Sequence, residues 1–353
     1  MIAVGMSGGV DSSVTALLLK RQGLDVAGVF MNNWEEKDEN GVCTSRQDWD
    51  DVRRVCDLLD IPSYSVNFAK EYRERVFSYF LEQYKRMRTP NPDVLCNREI
   101  KFGVFLDFCR GLGCEGVATG HFARLDKSGE KTRLLRAADE NKDQTYFLHE
   151  VGWRQLQLAH FPVGHLTKPE IREIARQAGI PVSEKKDSTG VCFIGERDFK
   201  PFLMRYMPAQ PGDMVDETGK VVGRHDGLMF YTLGQRRGLG VGGGGNGGRW
   251  FVIEKDVERN RLILSQGDED RLYTKEARAD KLTWVSGEAP AQEGESFRCQ
   301  IRLRHRQPLQ NAEITVENGE MHMRFDEPQR AVTPGQYAVV YDGEACLGGG
   351  EVM

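Results

Sequence analysis

The sequence predicts a doubly wound, mostly parallel α/β sheet, followed by a small β-rich middle domain and a C-terminal β-barrel. Strand and helix signals alternate through the first half of the 353 residues. From about Pro208, short alternating runs with proline and glycine replace the long helices. Beyond Ala277 almost no helical period remains, which is typical of a small barrel. We therefore expect domains at residues 1–205, 206–272 and 273–353.

The elements of the first half have simple signatures. Strands are predicted where apolar residues run together, at residues 2–5, 25–31, 64–68 and 115–120. Helices are predicted where apolar residues recur at helical spacing, at residues 14–20, 49–59, 71–88 and 100–109. Ligands of such sheets bind at the carboxyl ends of the strands. We therefore expect a site at the loop after the first strand and at Gly120-His121, where another strand ends.

Turn residues divide the second half into short elements. Strands are predicted at residues 214–215, 221–222 and 227–233, and a hairpin joins residues 250–253 to 261–265. The glycine-rich run at 238–248 predicts a low-complexity loop. Short β runs and turns continue from residue 277 to 352.

The composition excludes several classes of protein. Hydrophobic residues make up 39% and charged residues 29%, as in an ordinary water-soluble protein. No run of about eighteen apolar residues predicts a membrane span. The first strand begins at Ile2, which leaves no room for a signal peptide, so we expect a cytoplasmic protein. With a net charge of -5, RNA binding must rest on local basic patches.

The run Gly5-Met6-Ser7-Gly8-Gly9-Val10-Asp11-Ser12-Ser13 predicts a phosphate-binding turn between the first strand and its helix. Adjacent glycines let phosphates approach bare backbone amides, and the helix N-terminus favours negative charge. The run is not a Walker A loop, because no lysine follows the glycines, and it lacks the Gly-x-Gly-x-x-Gly spacing. Asp11 is placed either to approach a magnesium-bound phosphate or to cap the helix.

Eight cysteines without a Cys-x-x-Cys pair predict reduced thiols, and two of them have unusual surroundings. Cys96 ends a proline-rich loop just ahead of the predicted helix at 100–109, three residues after Asp93. A thiol near a helix N-terminus has a lowered pKa, although a buried cysteine beside a capping aspartate is the alternative. Cys192 follows Lys185-Lys186, which favours a thiolate, and its alternative is a packed apolar strand.

Local basic patches are present despite the acidic total. Residues 302–306 alternate cationic and other side chains, and Arg236-Arg237 and Lys185-Lys186 add further charge. Such patches pair with phosphates, or are simply solvated surface charge. A base of a single-stranded loop would have to be splayed into a pocket to react. Three rings are candidates to stack on it: Trp34 (alternatively part of the core), His121 and Phe193.

Taken together, the motifs resemble the PP-loop ATP pyrophosphatases, a Rossmann-like class, and among them the tRNA-specific 2-thiouridylase family. The resemblance runs through the whole chain in one order: residues 6–13 (Met-Ser-Gly-Gly-Val-Asp-Ser-Ser), 31–34 (Met-Asn-Asn-Trp), 89–97 (Thr-Pro-Asn-Pro-Asp-Val-Leu-Cys-Asn), 118–121 (Ala-Thr-Gly-His), 141–148, 187–197, 232–240 and 333–336 (Thr-Pro-Gly-Gln). The glycine run at 242–248 matches least well.

The resemblance implies a role for individual residues. Cys192 carries the incoming sulfur as a persulfide, Cys96 is its partner, and Asp93 is a general base. ATP is bound by Gly5, Met6, Ser7, Gly8, Gly9, Val10, Asp11, Ser12, Met31 and Gly120. The target base meets Asn91, Pro92 and Asp93, and the tRNA is contacted by Lys142, Asp143, Gln144, Arg304 and His305.

The implied reaction inserts sulfur at C2 of the wobble uridine, position 34 of tRNA, with ATP and Mg²⁺ and without a tightly bound metal cluster. Adenylation makes the C2 oxygen a leaving group. The Cys192 persulfide then attacks C2 directly, or Cys96 first liberates hydrosulfide, and both routes use thiol–disulfide exchange. The products are 2-thiouridine, AMP and pyrophosphate. The implied partners are the tRNAs for Lys, Glu and Gln and a persulfide-donating relay protein or cysteine desulfurase.

Two other functions compete with this one. A PP-loop enzyme that adenylates a small carboxylate or carbonyl for ligation explains the phosphate loop, but neither the two cysteines nor the β-rich second half. An RNA-binding or sulfur-relay protein with a regulatory nucleotide predicts ATP binding without AMP release. Release of pyrophosphate that depends on tRNA distinguishes the thiolation reaction from both.

Overall fold

A computed structural model describes residues 1–34, 44–187, 199–242, 248–267 and 269–353. Cys43, Cys192, Phe193 and most of the glycine run at 242–248 lie outside these residues. The α-helices are α1 (Val10–Arg21), α2 (Thr44–Leu59), α3 (Ala69–Tyr72), α4 (Ser78–Lys85), α5 (Pro92–Leu95), α6 (Phe105–Gly111), α7 (Thr145–Leu148), α8 (Trp153–Gln157), α9 (Lys168–Gln177) and α10 (Phe199–Met204). In the described ranges, no helix combines the length and apolar character needed to cross a bilayer.

The strands form three sheets. They are β1 (Ile2–Met6), β2 (Val26–Asn32), β3 (Ser63–Asn67), β4 (Gly116–Ala118), β5 (Arg124–Asp126), β6 (Arg133–Leu135), β7 (Ala159–His160), β8 (Gly212–Val215), β9 (Val221–His225), β10 (Trp250–Asp256), β11 (Arg261–Gln266), β12 (Tyr273–Trp284), β13 (Ser296–Arg302), β14 (Gln310–Glu317), β15 (Glu320–Arg330), β16 (Tyr337–Asp342) and β17 (Ala345–Val352).

The first sheet is parallel throughout, in the order β3-β2-β1-β4-β7. The chain winds outward from β1 to β3 and then crosses back to β4, on the other side of β1. A crevice therefore opens between the carboxyl ends of β1 and β4. The glycine loop follows β1, and Thr119-Gly120 follows β4, so the two predicted ligand-binding ends are neighbours. This confirms the predicted doubly wound sheet.

Alternate residues of β1 bury against two different cores. Ile2, Val4 and Met6 belong to the core that includes α1, whereas Ala3 belongs to the core that includes α6. Successive side chains of a strand point to opposite faces of the sheet. Because all five residues of β1 are buried, both faces of this strand are covered.

The helix that carries Cys96 begins earlier than predicted. It starts at Pro92 rather than residue 100, and a π-helical segment, Cys96–Val104, joins α5 to α6. Asn91 is the N-cap, and its Oδ1 accepts a hydrogen bond from the Asp93 amide at 3.2 Å. Proline is favoured at the first helical position because its missing N–H needs no partner there. Cys96 consequently lies at the fifth helical residue, close to the N-terminus but inside the helix. A second π-helical segment, Arg73–Phe77, joins α3 to α4.

The middle sheet has the order β10-β11-β8-β9, and the predicted hairpin of β10 and β11 is confirmed. The strand predicted at 227–233 is wrong. Residues Leu228–Phe230 form a short 3₁₀ turn instead, which follows Gly227 at φ 149°. The Gly227 amide donates to Nδ1 of His225 at 3.1 Å, so a side chain rather than a neighbouring strand satisfies it.

The third sheet closes into a barrel. Its order is β12-β15-β14-β13-β16-β17, and β17 pairs back with β12. The start of β17, at Ala345 and Cys346, also pairs with β6, so the hairpin of β5 and β6 from the first half extends the barrel sheet. The Arg136 amide adds a bond of 2.8 Å to the Glu344 carbonyl. The barrel is therefore joined to the first half by main-chain hydrogen bonds, which the sequence did not predict.

Candidate active site

The phosphate loop connects β1 to α1, and its shape depends on glycine. Gly8 has φ 73°, a region that side chains rarely adopt. A Cβ atom at Gly8 would also lie 2.8 Å from the Asp48 carbonyl oxygen. Gly9 is the N-cap of α1 and provides no side-chain acceptor for the first helical amides. The first amides of α1 therefore have no side-chain cap, and the positive end of the helix dipole favours a negative group beside them. Because Gly9 is the cap, the alternative capping role of Asp11 is wrong.

Serine hydroxyls hold the loop together from within. Ser12 Oγ accepts from the Ser7 amide at 3.2 Å and lies 3.2 Å from both Ser7 Oγ and the Gly9 carbonyl oxygen. Ser13 Oγ donates to the same Gly9 carbonyl at 2.8 Å. These contacts span only a few residues of sequence. The loop is thus shaped largely by its own side chains.

Three other predicted nucleotide contacts lie around this loop. Gly120, at the end of β4, packs on the start of α1, where a Cβ would approach Ser12 N to 2.8 Å. Met31 is buried at the end of β2, with its Cε 3.2 Å from the position that a Cβ of Gly5 would take. The structure therefore brings Gly5, Met31 and Gly120 together with the phosphate loop.

A cluster of charged side chains, which the sequence did not predict as a site, adjoins the loop. Lys168 Nζ, at the start of α9, donates to Asp11 Oδ1 at 2.6 Å and lies 2.7 Å from Asp187 Oδ1. Lys142 Nζ and Arg172 Nη2 reach the same Asp187 carboxylate at 2.6 Å and 3.1 Å. The sequence feature that could have located Lys168 is the helix start Thr167-Lys168-Pro169. This start is capped by Glu170, whose Oε2 accepts a hydrogen bond from the Thr167 amide at 2.7 Å.

The two carboxylates of this cluster respond differently to their surroundings. Burial raises the pKa of Asp11, against the attraction of Lys168. Asp187 is also affected by burial, but hydrogen bonds from Lys142 and Lys168 outweigh it and lower the pKa to about 2. Asp187 is therefore an anion at any physiological pH. In the part of the chain that the structure describes, no group of three or more His, Cys, Asp or Glu side chains is arranged to hold a metal ion.

Lys185 does not lie free for RNA phosphates. Its Nζ donates to Asp48 Oδ1 at 2.8 Å, to Asp51 Oδ2 at 2.7 Å and to the Gly8 carbonyl at 3.1 Å. Lys185 therefore ties the segment that precedes Cys192 to α2 and to the phosphate loop.

The residues around Cys96 that were predicted to take part in catalysis or to meet the target base are buried to different extents. Cys96 is fully buried, Pro92 is buried, and Asn91 and Asp93 are half-buried. The neighbouring Asn97 donates from Nδ2 to the Phe147 carbonyl at 2.9 Å. Cys192 lies outside the described residues, so the pairing of Cys96 with Cys192 stays a prediction.

Of the three rings considered for base stacking, Trp34 belongs to the core. It is buried against Tyr72, Phe77 and Phe202, with ring centroids 4.8–6.0 Å apart. His121 is also buried, and its Nδ1 lies 2.7 Å from Thr119 Oγ1. Burial, assisted by Lys101, lowers the pKa of His121 well below its usual value, so the imidazole is neutral.

The two predicted RNA-binding segments meet in the structure. The Asp143 carboxylate is fully buried and accepts from Arg302 Nη1 at 2.8 Å, while Nε2 of His305 lies 3.0 Å from the Asp143 carbonyl. Arg304 Nη2 donates to the Ala331 carbonyl at 2.8 Å. Gln144 Oε1 accepts from the Phe122 amide at 2.9 Å. The RNA contacts predicted for these residues and for Lys142 stay predictions.

A parallel sheet with a Ser-Gly-Gly-x-Asp-Ser loop at its switch point defines the class, a PP-loop ATP pyrophosphatase. Three family models match successive parts of the chain: a tRNA methyl transferase HUP domain at residues 1–196, a tRNA methyl transferase PRC-barrel domain at 200–266 and an aminomethyltransferase beta-barrel domain at 274–352.

Curated relatives match over almost the entire chain. The tRNA-specific 2-thiouridylase MnmA of Alkaliphilus oremlandii is 56% identical over 353 residues, which cover 99% of this chain and 96% of that protein. Its counterpart in Bacillus subtilis is 54% identical over 355 residues, covering 99% and 94%. The chain belongs to the tRNA-specific 2-thiouridylase family, which confirms the resemblance inferred from the motifs.

Proposed function

We propose that this chain is a tRNA uridine 2-sulfurtransferase, acting in the cytoplasm on the wobble uridine at position 34. The observation that carries the proposal is the identity of 54–56%, over 99% of the chain, to relatives named tRNA-specific 2-thiouridylase. The preformed anion site at the start of α1 supports the ATP-dependent half of the reaction. We also propose the domain division at residues 1–205, 206–272 and 273–353.

The phosphate loop is the proposed ATP site. Its members are Gly5, Met6, Ser7, Gly8, Gly9, Val10, Asp11, Ser12, Met31 and Gly120. The free amides at the start of α1 suit the pyrophosphate that leaves when the uridine C2 oxygen attacks the α-phosphorus. Mg²⁺ that arrives with ATP would neutralise phosphate charge, and Asp11, half-buried beside the loop, is the residue placed to approach it.

Lys168 extends the proposed ATP site beyond the motif. Its Nζ lies between the Asp11 and Asp187 carboxylates, at 2.6 Å and 2.7 Å. An ammonium in this position can turn from a carboxylate to a phosphate oxygen without crossing the crevice. We therefore include Lys168 among the groups that stabilise the triphosphate.

Cys96, Cys192 and Asp93 are the proposed sulfur-transfer residues. In one route the terminal sulfur of the Cys192 persulfide attacks C2, AMP leaves, and the Cys96 thiolate attacks the Cys192 sulfur to release 2-thiouridine. In the other, Cys96 attacks the persulfide first and the released hydrosulfide attacks C2. Both routes end with a Cys96–Cys192 disulfide, which two electrons from a thiol reductant must reduce before the next turnover. Asp93 is the proposed general base.

The proposed RNA side consists of Asn91, Pro92 and Asp93 around the target base, with Lys142, Asp143, Gln144, Arg304 and His305 toward the rest of the tRNA. The contacts of Asp143 with Arg302 and of its carbonyl with His305 support a common RNA-facing unit. Because the Asp143 carboxylate is buried, we assign it the positioning of Arg302 within this unit. The proposed substrates are the tRNAs for Lys, Glu and Gln, with a sulfur-relay protein or cysteine desulfurase as donor.

Nucleoside mass spectrometry tests the proposal directly. Unmodified tRNA is incubated with the protein, ATP, Mg²⁺ and a persulfide or sulfide donor, and the digest is analysed. We expect 2-thiouridine that is lost when ATP is omitted and that depends on Cys96. Cys114→Ser is a matched control, because Cys114 is a buried cysteine on the turn that precedes β4. A methylated nucleoside, or pyrophosphate release without RNA, would contradict the proposal and favour a methyl transferase or a small-molecule ligase.

A further inference from the structure

The segment that leads into the cysteine-bearing helix is held by residues from both β-rich regions. Residues 86–91 connect α4 to the helix that begins at Pro92, and residues 87–89 make its contacts with the β-rich regions. On the side of the middle sheet, Lys255 Nζ in β10 donates to the Met87 carbonyl at 2.9 Å. Thr232 Oγ1 also lies 3.4 Å from Thr89 Oγ1. The start of this segment is therefore attached to the middle sheet.

The barrel holds Thr89 by both of its main-chain groups. The Thr89 amide donates to the Pro334 carbonyl at 2.9 Å, and Gln336 Nε2 donates to the Thr89 carbonyl at 2.7 Å. Both barrel partners lie on the turn between β15 and β16. That turn is itself fixed, because the Val352 amide donates to the Gln336 carbonyl at 2.7 Å. Thr89 is therefore anchored to a rigid part of the barrel.

Close packing and two ion pairs to the buried Glu351 reinforce this contact. Gly335 has φ 88°, and a Cβ there would come within 2.9 Å of Arg88 Cβ. Arg88 Nη1 reaches Glu351 Oε1 at 2.9 Å, and Lys281 Nζ reaches Glu351 Oε2 at 2.8 Å. The Glu351 side chain is only 2% exposed. The barrel thus contacts residues 88 and 89 with little room for relative movement.

We propose that Gln336 is a positioning residue for sulfur transfer: by holding the Thr89 carbonyl, it sets the place of Asp93 and Cys96. Thr89 lies four residues before Asp93 and seven before Cys96. Pro90 and Pro92 restrict φ along this short path, and Asn91 caps the helix, so displacement of Thr89 is passed on to the helix start. The inference rests on the function proposed above, and it assigns the barrel a part in arranging the catalytic loop.

Two substitutions remove the contact in different ways. Gln336→Glu keeps the length of the side chain but replaces the Nε2 donor with an oxygen that repels the Thr89 carbonyl. Gln336→Ala removes the group altogether. Gln310→Ala is the matched control, because Gln310 Nε2 also donates to a backbone carbonyl of the barrel, that of Pro308, at 2.9 Å. The other side-chain bond of Gln310, which its Oε1 accepts from Gln329 Nε2 at 3.1 Å, also lies within the barrel.

The first measurement is the rate at which an alkylating reagent modifies Cys96, resolved by peptide mass spectrometry, with the buried Cys346 as internal reference. We expect both Gln336 variants to increase this rate about tenfold, because local opening exposes the buried thiol. Cys346 and the Gln310→Ala protein should react as in the wild type. The second measurement is multiple-turnover thiolation in the presence of a thiol reductant, where we expect kcat to fall about 10- to 100-fold and KM for tRNA to change less than about twofold.

The outcomes are separable. Cys96 reactivity and kcat that match those of Gln310→Ala would overturn the inference, as would a general increase in the reactivity of all buried cysteines. A wild-type protein that forms no 2-thiouridine would contradict the proposed function. If Gln336→Glu still increases the reactivity of Cys96 alone in that case, the positioning of this loop by Gln336 is supported independently.

Discussion

The phosphate loop and the segment before Cys96 are both short connections at the edge of the first domain, but they are shaped in different ways. Ser7, Ser12 and Ser13 bond within the phosphate loop itself. Thr89 and Arg88 are held by Gln336 and Glu351, which lie 247 and 263 residues away in the sequence. The first loop is held mainly by its own side chains, with one further bond from Lys185 to the Gly8 carbonyl, whereas the second is held by residues of the barrel. We therefore expect changes in the two regions to separate ATP binding from sulfur transfer.

The largest expected effect is on sulfur transfer alone. Cys96→Ser should lower multiple-turnover thiolation by at least about 1000-fold, because the partner thiol is lost. ATP binding should be unchanged, since the phosphate loop is held by bonds among Ser7, Ser12, Ser13 and the Gly9 carbonyl, which the substitution leaves in place. Nucleoside mass spectrometry and calorimetric titration with ATP measure the two effects. Full turnover by Cys96→Ser would remove Cys96 from the mechanism.

A substitution in the phosphate loop should weaken ATP binding. Gly8→Ala introduces a Cβ 2.8 Å from the Asp48 carbonyl at a residue with φ 73°. Strain of roughly 2 kcal/mol should weaken ATP binding about 30-fold. Gly23→Ala is the matched control, because Gly23 has φ 79° but no atom near its Cβ position. Equal ATP affinity in the two variants would show that the shape of the loop does not control binding.

Removal of Lys168 should weaken ATP binding more moderately. Lys168→Ala loses one charge-assisted contact to phosphate, so its dissociation constant for ATP should rise about tenfold. Lys168→Arg keeps the positive charge and should recover part of the affinity. Lys127→Ala is the control, because the Lys127 Nζ also has two oxygen partners, the Gln157 and Ala159 carbonyls at 2.8 Å, but these lie at the amino end of β7. An unchanged ATP affinity in Lys168→Ala would exclude Lys168 from the triphosphate site.

The smallest expected effect concerns stability near the cysteine-bearing helix. Burial raises the pKa of Glu150 to about 7, although Arg98, two residues after Cys96, lowers it. A carboxyl with a raised folded pKa stabilises the fold most below its unfolded pKa, and this contribution is lost as pH rises toward 7. Glu150→Gln should therefore gain about 1 kcal/mol over wild type at pH 8 and be nearly equal to it at pH 5.

Denaturant unfolding at the two pH values measures this difference. Glu344→Gln is the control, because Glu344 is exposed and pairs with Arg124 at 2.6 Å. A Glu150→Gln protein less stable than wild type at pH 8 would show that the ion pair with Arg98 outweighs the cost of burial.

Much of the first domain followed from short-range patterns. A buried apolar strand, a glycine turn and a helix start are consecutive in residues 2–21, so the phosphate loop could be predicted from sequence. The sequence did not predict the helix start at Pro92, because Pro90 and Pro92 indicated an irregular loop. Proline is nevertheless favoured at the first helical position, which is where Pro92 lies. The 3₁₀ turn at Leu228–Phe230 was missed because its short apolar run also fits a strand.

The sequence by itself determined the class of fold, the phosphate loop and the family, because these depend on residues that are close together or on motifs in a constant order. Only the tertiary structure decided that Lys168 reaches Asp11, that Asp143 is buried on Arg302, and that Gln336 holds Thr89. Such partners are separated by more than 150 residues. Their side chains meet only after packing of the sheet and closure of the barrel, which no local period or spacing encodes.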